Sequence, residues 1–139
     1  MKATVKWIEG AMFLGESGSG HCVVMDGPEE IGGRNAGIRP MEMLLIGVGA
    51  CSSVDVVSIL KKARQEVSDC EARVEATRVD AVPAVFERIH MHFIVSGKNL
   101  DEGKVRRAVE LSAEKYCSAS IMLQKGGVEM THGYEIINL

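Results

Sequence analysis

A chain of 139 residues with 46% hydrophobic and 25% charged side chains predicts a single domain, residues 1–139, long enough to bury a sizeable core. A net charge of -3 and an aromatic content of only 4% argue against nucleic acid as a partner, since phosphate binding wants a basic face and base stacking wants aromatic platforms. A secretory signal and a membrane span are both argued against: Met1 to Glu9 alternates like a strand, and the longest uncharged apolar run, between Glu42 and Asp55, falls short of the roughly 20 residues a bilayer helix needs.

A cytoplasmic location is therefore expected, with the 4 cysteines reduced at rest. Along the chain, Val5, Trp7 and Met12-Phe13-Leu14 supply the apolar positions of short strands. Gly15 and Gly18 to Gly20 read as turns, and His21-Cys22-Val23-Val24-Met25 as the next strand. From Asp26 to Arg39 the composition shifts to Gly, Pro, Asn and charge, which reads as a surface loop. Pro40 suits a first helical position, and Glu42 the first turn, where the macrodipole favours a carboxylate. The helix runs to about Gln65, its C-terminus marked by Lys61, Lys62 and Arg64.

The first half of that helix is apolar on almost every side and is expected to be buried nearly all round. Gly47, Gly49 and Ala50 would admit another helix closely, which predicts a homodimer in which two such helices cross; the alternative is one sheet wrapping the helix within a monomer. In Cys70 to Thr77 the even positions are small or apolar and the odd ones polar, the pattern of a half-buried strand. Pro83 breaks it. Arg88, His90 and His92 then alternate with Ile89, Met91, Phe93 and Val95, and the two strands pair naturally as an antiparallel ribbon. A second, amphipathic helix starts near Asp101, with Val105, Ala108, Val109, Ser112 and Tyr116 on one stripe and Cys117 at its end. After Gly126-Gly127 a last strand carries Val128, Met130, His132 and Tyr134. The order ββ(β)αββαβ is mixed, so the fold class is α+β.

The chemistry lies with the cysteines. Cys70 falls on the apolar face of its strand and reads as an inert thiol. Cys22 and His21 are adjacent on a strand, point to opposite faces and do not readily share a ligand. No short Cys-x-x-Cys or His-x-x-x-His spacing is present, so no metal site is expected. Gly32 to Gly37 lacks the Gly-Lys-Ser/Thr ending of a phosphate loop, and His90 and His92 read as part of a solvated face with Arg88. Cys51 in the apolar helix and Cys117 at the end of the second helix form a pair suited to reversible oxidation.

A reactive thiol must ionise, against a free pKa of about 8.5. Cys51 lies more than two turns into its helix, beyond much help from the dipole, and Asp55 four residues on would raise its pKa. A cation from elsewhere is required. Arg39 and Arg34, in the loop before the helix, are the candidates, most easily supplied by a partner subunit; Arg34 reads equally well as a solvated loop charge.

Pro40-Met41-Glu42-Met43-Leu44, leading into Gly47-Val48-Gly49-Ala50-Cys51-Ser52, and the later Tyr116-Cys117-Ser118-Ala119-Ser120 resemble the OsmC/Ohr family, the osmotically induced and organic-hydroperoxide-resistance proteins. The resemblance implies an intertwined α+β homodimer with a mixed sheet, a long buried central helix, a second amphipathic helix and two sites at the subunit interface. It implies a thiol-dependent hydroperoxide reductase in which Cys51 is the peroxidatic thiol and Cys117 the resolving one. The resulting disulfide would be reduced by a dithiol such as a lipoyl protein or thioredoxin, with no metal, flavin or haem.

The chain departs from the family pattern in three places. The Glu that usually follows Pro and orients an activating Arg is here Met41, with Glu42 one later; at about 100° per residue, Glu42 and Cys51 fall on roughly opposite faces of a regular helix. No Arg occurs in residues 1–33, which leaves Arg39 to activate the thiolate. Ser118 stands where Pro often follows the second cysteine. Two other readings stay open: a non-catalytic module holding an apolar small molecule in an interface pocket of methionines and aliphatics, and a thiol redox sensor.

Overall fold

The computed structural model describes residues 1–139, which divide into two compact units, Met1–Leu44 and Leu45–Leu139. The first unit is an antiparallel meander of β1 (Ala3–Glu9), β2 (Met12–Ser17) and β3 (Cys22–Met25), paired in that order. Gly10 turns the first hairpin at φ +51°, a backbone region that costs glycine little, and its carbonyl accepts the Trp7 Nε1–H at 2.9 Å. Gly15 is not a turn. It lies inside β2, opposite Val5 and Val23, where a Cβ would crowd the Met25 and Val23 side chains.

The segment from Asp26 to Arg39 is more ordered than its composition suggests. Asp26 is buried and collects three backbone N–H groups: Gly27 at 2.7 Å, Arg34 at 3.0 Å and Ala36 at 3.1 Å. A short 3₁₀ turn at Glu29–Ile31 lies within the loop so gathered. The Ala36 N–H contributes most to holding the carboxyl below its ordinary range, burial opposes it, and the Arg34 and Gly27 N–H groups and the Arg39 charge assist.

In the second unit, β5 (Phe86–Lys98) is the middle strand, antiparallel to β4 (Glu66–Arg78) and parallel to β6 (Glu129–Asn138). A parallel pair needs a long crossover, and α2 (Glu102–Leu111) with α3 (Ser118–Lys125) supplies it. Ile89, Met91, Phe93 and Val95 of β5 are buried, as the alternation predicted. The even residues of β4 from Cys70 to Ala76 are half-buried and the odd ones exposed.

Helix α1 (Pro40–Lys62) buries one stripe, Val48, Gly49, Ser52, Val56 and Leu60, and is not buried nearly all round. Leu44, Ile46 and Val54 stay exposed. A Cβ at Gly49 would come within 3.0 Å of Val74 Cγ2, so this glycine brings α1 close to its own β4; Gly47 has open space. By length and hydropathy alone α1 is apolar enough to cross a membrane, with Asp55 lying within it. Each large side chain of the buried core contributes about 1.5–3 kcal/mol.

The second helix is not continuous. After α2, capped by Asp101 accepting the Lys104 N–H, residues Ser112–Tyr116 form a single π turn before α3 begins. The extra residue in that turn rotates the stripe: Val105, Ala108, Val109 and Ser112 are buried as predicted, but Tyr116 is half exposed. Cys117 thus starts a new helix and does not end the old one.

Candidate functional site

The second unit brings Cys51 and Cys117 together. Cys51 is half-buried on α1, Cys117 is fully buried, both are free, and Cys51 is near enough to act on the Cys117 thiol. The π turn sets the position of Cys117: its N–H donates to the Ser112 carbonyl at 2.9 Å, closing the wide turn, and the chain then leaves helical geometry at Cys117 with ψ 103°. Cys117 is consequently the N-cap of α3, with its sulfur accepting the Ser120 N–H at 3.4 Å.

Ser52, beside Cys51, directs its hydroxyl at the same sulfur and donates to Cys117 Sγ at 3.0 Å. Ser112 Oγ donates to the Ser52 carbonyl, also at 3.0 Å. Ser52, Ser112 and Ser120 have no exposed surface, and no buried side-chain N or O atom lacks a partner. Burial pushes the Cys117 thiol up; the Ser52 hydroxyl and Ser120 N–H pull it down, and the neighbouring Cys51 adds to the rise. The serines were not singled out from sequence. The signal that could have found them is local: Ser52 follows Cys51, and Ser120 stands three residues after Cys117, the spacing of a cap and its donor.

The other expected residues lie in the first unit and are bonded there. Arg39 donates from Nη1 to the carbonyls of Asp26 at 3.3 Å and Gly37 at 3.4 Å. Glu42 Oε1 accepts the Arg39 backbone N–H at 3.1 Å, which ties the first turn of α1 to the residue before it. Arg34 pairs with Glu9 at 2.9 Å, both side chains well exposed. Cys22 is exposed; Cys70 is half-buried, its thiol pushed up by burial and then by Asp69.

On β5, His90 bonds Thr131 at 2.7 Å and His92 lies 3.7 Å from Glu135. No three His, Cys, Asp or Glu side chains converge as a metal would require. A pocket of about 370 Å³ in the first unit is lined by Val5, Cys22, Val23, Met25 and Met43, among others.

A family described as OsmC-like protein matches residues 32–133. Protein YhfA of Escherichia coli K12 is 51% identical over 140 residues, covering 99% of this chain and 98% of its own. A hypothetical protein of Aquifex aeolicus VF5 has a structure that is similar with a TM-score of 0.84 at 32% identity, over 97% of this chain and 94% of that one. An organic hydroperoxide resistance protein of Legionella pneumophila shares the fold with a TM-score of 0.70 at 16% identity, over 97% of each chain.

Proposed function

The chain belongs to the OsmC-like protein family, and from that premise we propose that it is a thiol-dependent hydroperoxide reductase. The observation that carries the reading is the meeting of Cys51 and Cys117, remote in sequence, in one sheltered place. Cys51 is the less buried of the two and is the thiol that meets peroxide. Its thiolate attacks the distal oxygen, the O–O bond breaks, the leaving alkoxide takes up the proton released when the thiol ionised and departs as alcohol, and Cys51 becomes a sulfenic acid. Cys117 then attacks the Cys51 sulfur, the S–O bond breaks, and water departs as the disulfide forms. A dithiol, of the lipoyl-protein or thioredoxin kind, returns the pair to thiols by exchange.

Arg39 is proposed as the cation that favours the Cys51 thiolate, and Glu42 as the residue that orients it. In support, the Arg39 guanidinium makes no salt bridge and bonds only the Asp26 and Gly37 carbonyl oxygens, although its charge also acts on the Asp26 carboxylate. The proposal includes a homodimer, favoured by the exposed apolar side chains Ile46 and Val54 on α1, and a cytoplasmic setting in which the thiols rest reduced. No cofactor enters the scheme.

The test is peroxide consumption with cumene hydroperoxide and excess dithiol. Wild type should turn over and Cys51→Ser should fall to the uncatalysed rate; equal slow consumption by both would end the enzyme reading. The pocket lined by Val5, Val23, Met25 and Met43 favours a second reading, an apolar-ligand module, because its roughly 370 Å³ lies within the range of small-molecule sites. Native mass spectrometry separates the two: a copurified small molecule together with thiols inert to peroxide supports the module. Disulfide formation without turnover would mark a redox sensor.

A further inference from the structure

We infer that Ser52 is a positioning residue for the resolving thiol: with the Ser120 N–H it holds the Cys117 sulfur as an acceptor, aiming its S–H at Cys51 before oxidation and sustaining its thiolate when the disulfide closes or opens. The inference rests on the hydroperoxide-reductase reading for its purpose, though not for its geometry.

Two adjacent serines on α1 make the case. A helical serine ordinarily returns its hydroxyl to the carbonyl four residues back, and Ser53 does so, donating to Gly49 at 2.8 Å. Ser52, in the same helix, instead donates to Cys117 Sγ at 3.0 Å, a contact 65 positions away in sequence. The arrangement is braced from behind. Ser112 Oγ donates to the Ser52 carbonyl while the Ser112 carbonyl accepts the Cys117 N–H, so one residue ties down both partners of the O–H···S bond. Ser52, Ser112, Ser120 and Cys117 are fully buried, and no water is needed to satisfy them.

The chemical consequence follows from what a sulfur can accept. With the Ser52 hydroxyl and the Ser120 N–H on its lone pairs, the Cys117 thiol keeps its own proton free to turn toward the nearby Cys51. That S–H is a hydrogen-bond donor to a Cys51 thiolate. When Cys51 has become a sulfenic acid, Cys117 must lose this proton as its sulfur attacks. The proton leaves with the displaced hydroxide as water, and the two donors hold the developing negative charge. In the reductive half, a dithiol attacks the Cys51 sulfur and expels Cys117 as a thiolate, which the same donors receive; a better-stabilised leaving thiolate leaves faster. Burial and the nearby Cys51 raise the thiol, and these two donors oppose them.

The experiment titrates Cys117 by its ¹³Cβ chemical shift in a Cys51→Ser background, where the coupled thiol is gone and no peroxide is involved. Adding Ser52→Ala should raise the Cys117 midpoint by about one pH unit or more, an approximately tenfold loss of thiolate at a fixed pH below both midpoints. Adding Ser112→Ala instead removes only the side-chain half of the brace, keeps the Ser52 hydroxyl and the backbone bond to the Cys117 N–H, and should leave the midpoint near that of the background. An unchanged midpoint with Ser52→Ala overturns the inference, as does an equal rise with Ser112→Ala, which would mark a packing effect. In otherwise native protein, Ser52→Ala should prolong the Cys51 sulfenic acid trapped by dimedone without slowing its formation. If peroxide never oxidises Cys51 while the Ser52→Ala shift stands, the peroxidase reading falls and the sulfur cradle survives.

Discussion

Each compact unit buries one acid and surrounds it with donors, and the two acids end on opposite sides of their ordinary values. In the first, the Asp26 carboxylate takes three backbone N–H groups, which outweigh burial and keep it ionised. In the second, the Cys117 sulfur takes one hydroxyl and one N–H, burial wins, and the thiol stays protonated. The difference is one of donor strength and number. Short N–H···O bonds to a full charge organise a loop permanently; longer, weaker contacts to sulfur leave a proton that chemistry can remove. One unit holds its buried acid ionised, the other holds it protonated.

The largest effect expected from breaking this contrast is at Cys117. Cys117→Ser keeps a small polar acceptor in the cradle but no second sulfur, so peroxide consumption should stop after a single turnover with Cys51 held as sulfenic acid. Dimedone labelling and peptide mass spectrometry check this.

At Asp26 the effect is structural. Asp26→Ala leaves the Gly27, Arg34 and Ala36 amides without their acceptor, and hydrogen exchange at these positions should accelerate. Because the folded carboxyl lies below its ordinary 3.8, its stabilisation is complete above that value and is lost as pH falls through the lower folded one. Protection of the same amides in wild type, corrected for intrinsic rates, should therefore collapse only in acid below 3.8, and in the alanine variant it should already be missing at neutral pH.

Smaller effects sharpen the comparison. Ser112→Ala deletes one buried hydrogen bond, leaving the Ser52 carbonyl with its helical partner, and should cost about 1 kcal/mol in a urea titration. Smallest of all is Glu129→Gln, which breaks the Arg88–Glu129 pair at 3.0 Å. Both side chains are more than half exposed, and the urea midpoint should move by less than about 0.5 kcal/mol equivalent.

The strands and their faces were legible in the sequence because the period of two is unambiguous in Cys70 to Thr77 and in Arg88 to Val95. The single stripe on α1 was not, since apolar side chains on every side hide which face meets the sheet; Gly49, close against Val74, is what marks it. The π turn was invisible for another reason. Apolar spacing through Ser112 and Tyr116 continues the helical pattern, and only the insertion of one residue shows that the stripe rotates and that Cys117 is a cap. Asp26 looked like one charge among many in a loop, because its partners are backbone groups that composition cannot reveal. The residues around each cysteine pointed to Cys51 and Cys117 as a pair, and Cys51 does lie near enough to act on Cys117. The serines between them were not, because a helical serine normally satisfies itself locally, as Ser53 does.

The central claim is that Cys51 and Cys117 act as one redox couple, and non-reducing peptide mapping after one equivalent of cumene hydroperoxide tests it most directly. The account predicts a cross-linked peptide pair joining Cys51 to Cys117, with Cys22 and Cys70 still free. A cross-link through Cys22 or Cys70, or Cys51 and Cys117 recovered as unmodified thiols while peroxide disappears, would contradict it.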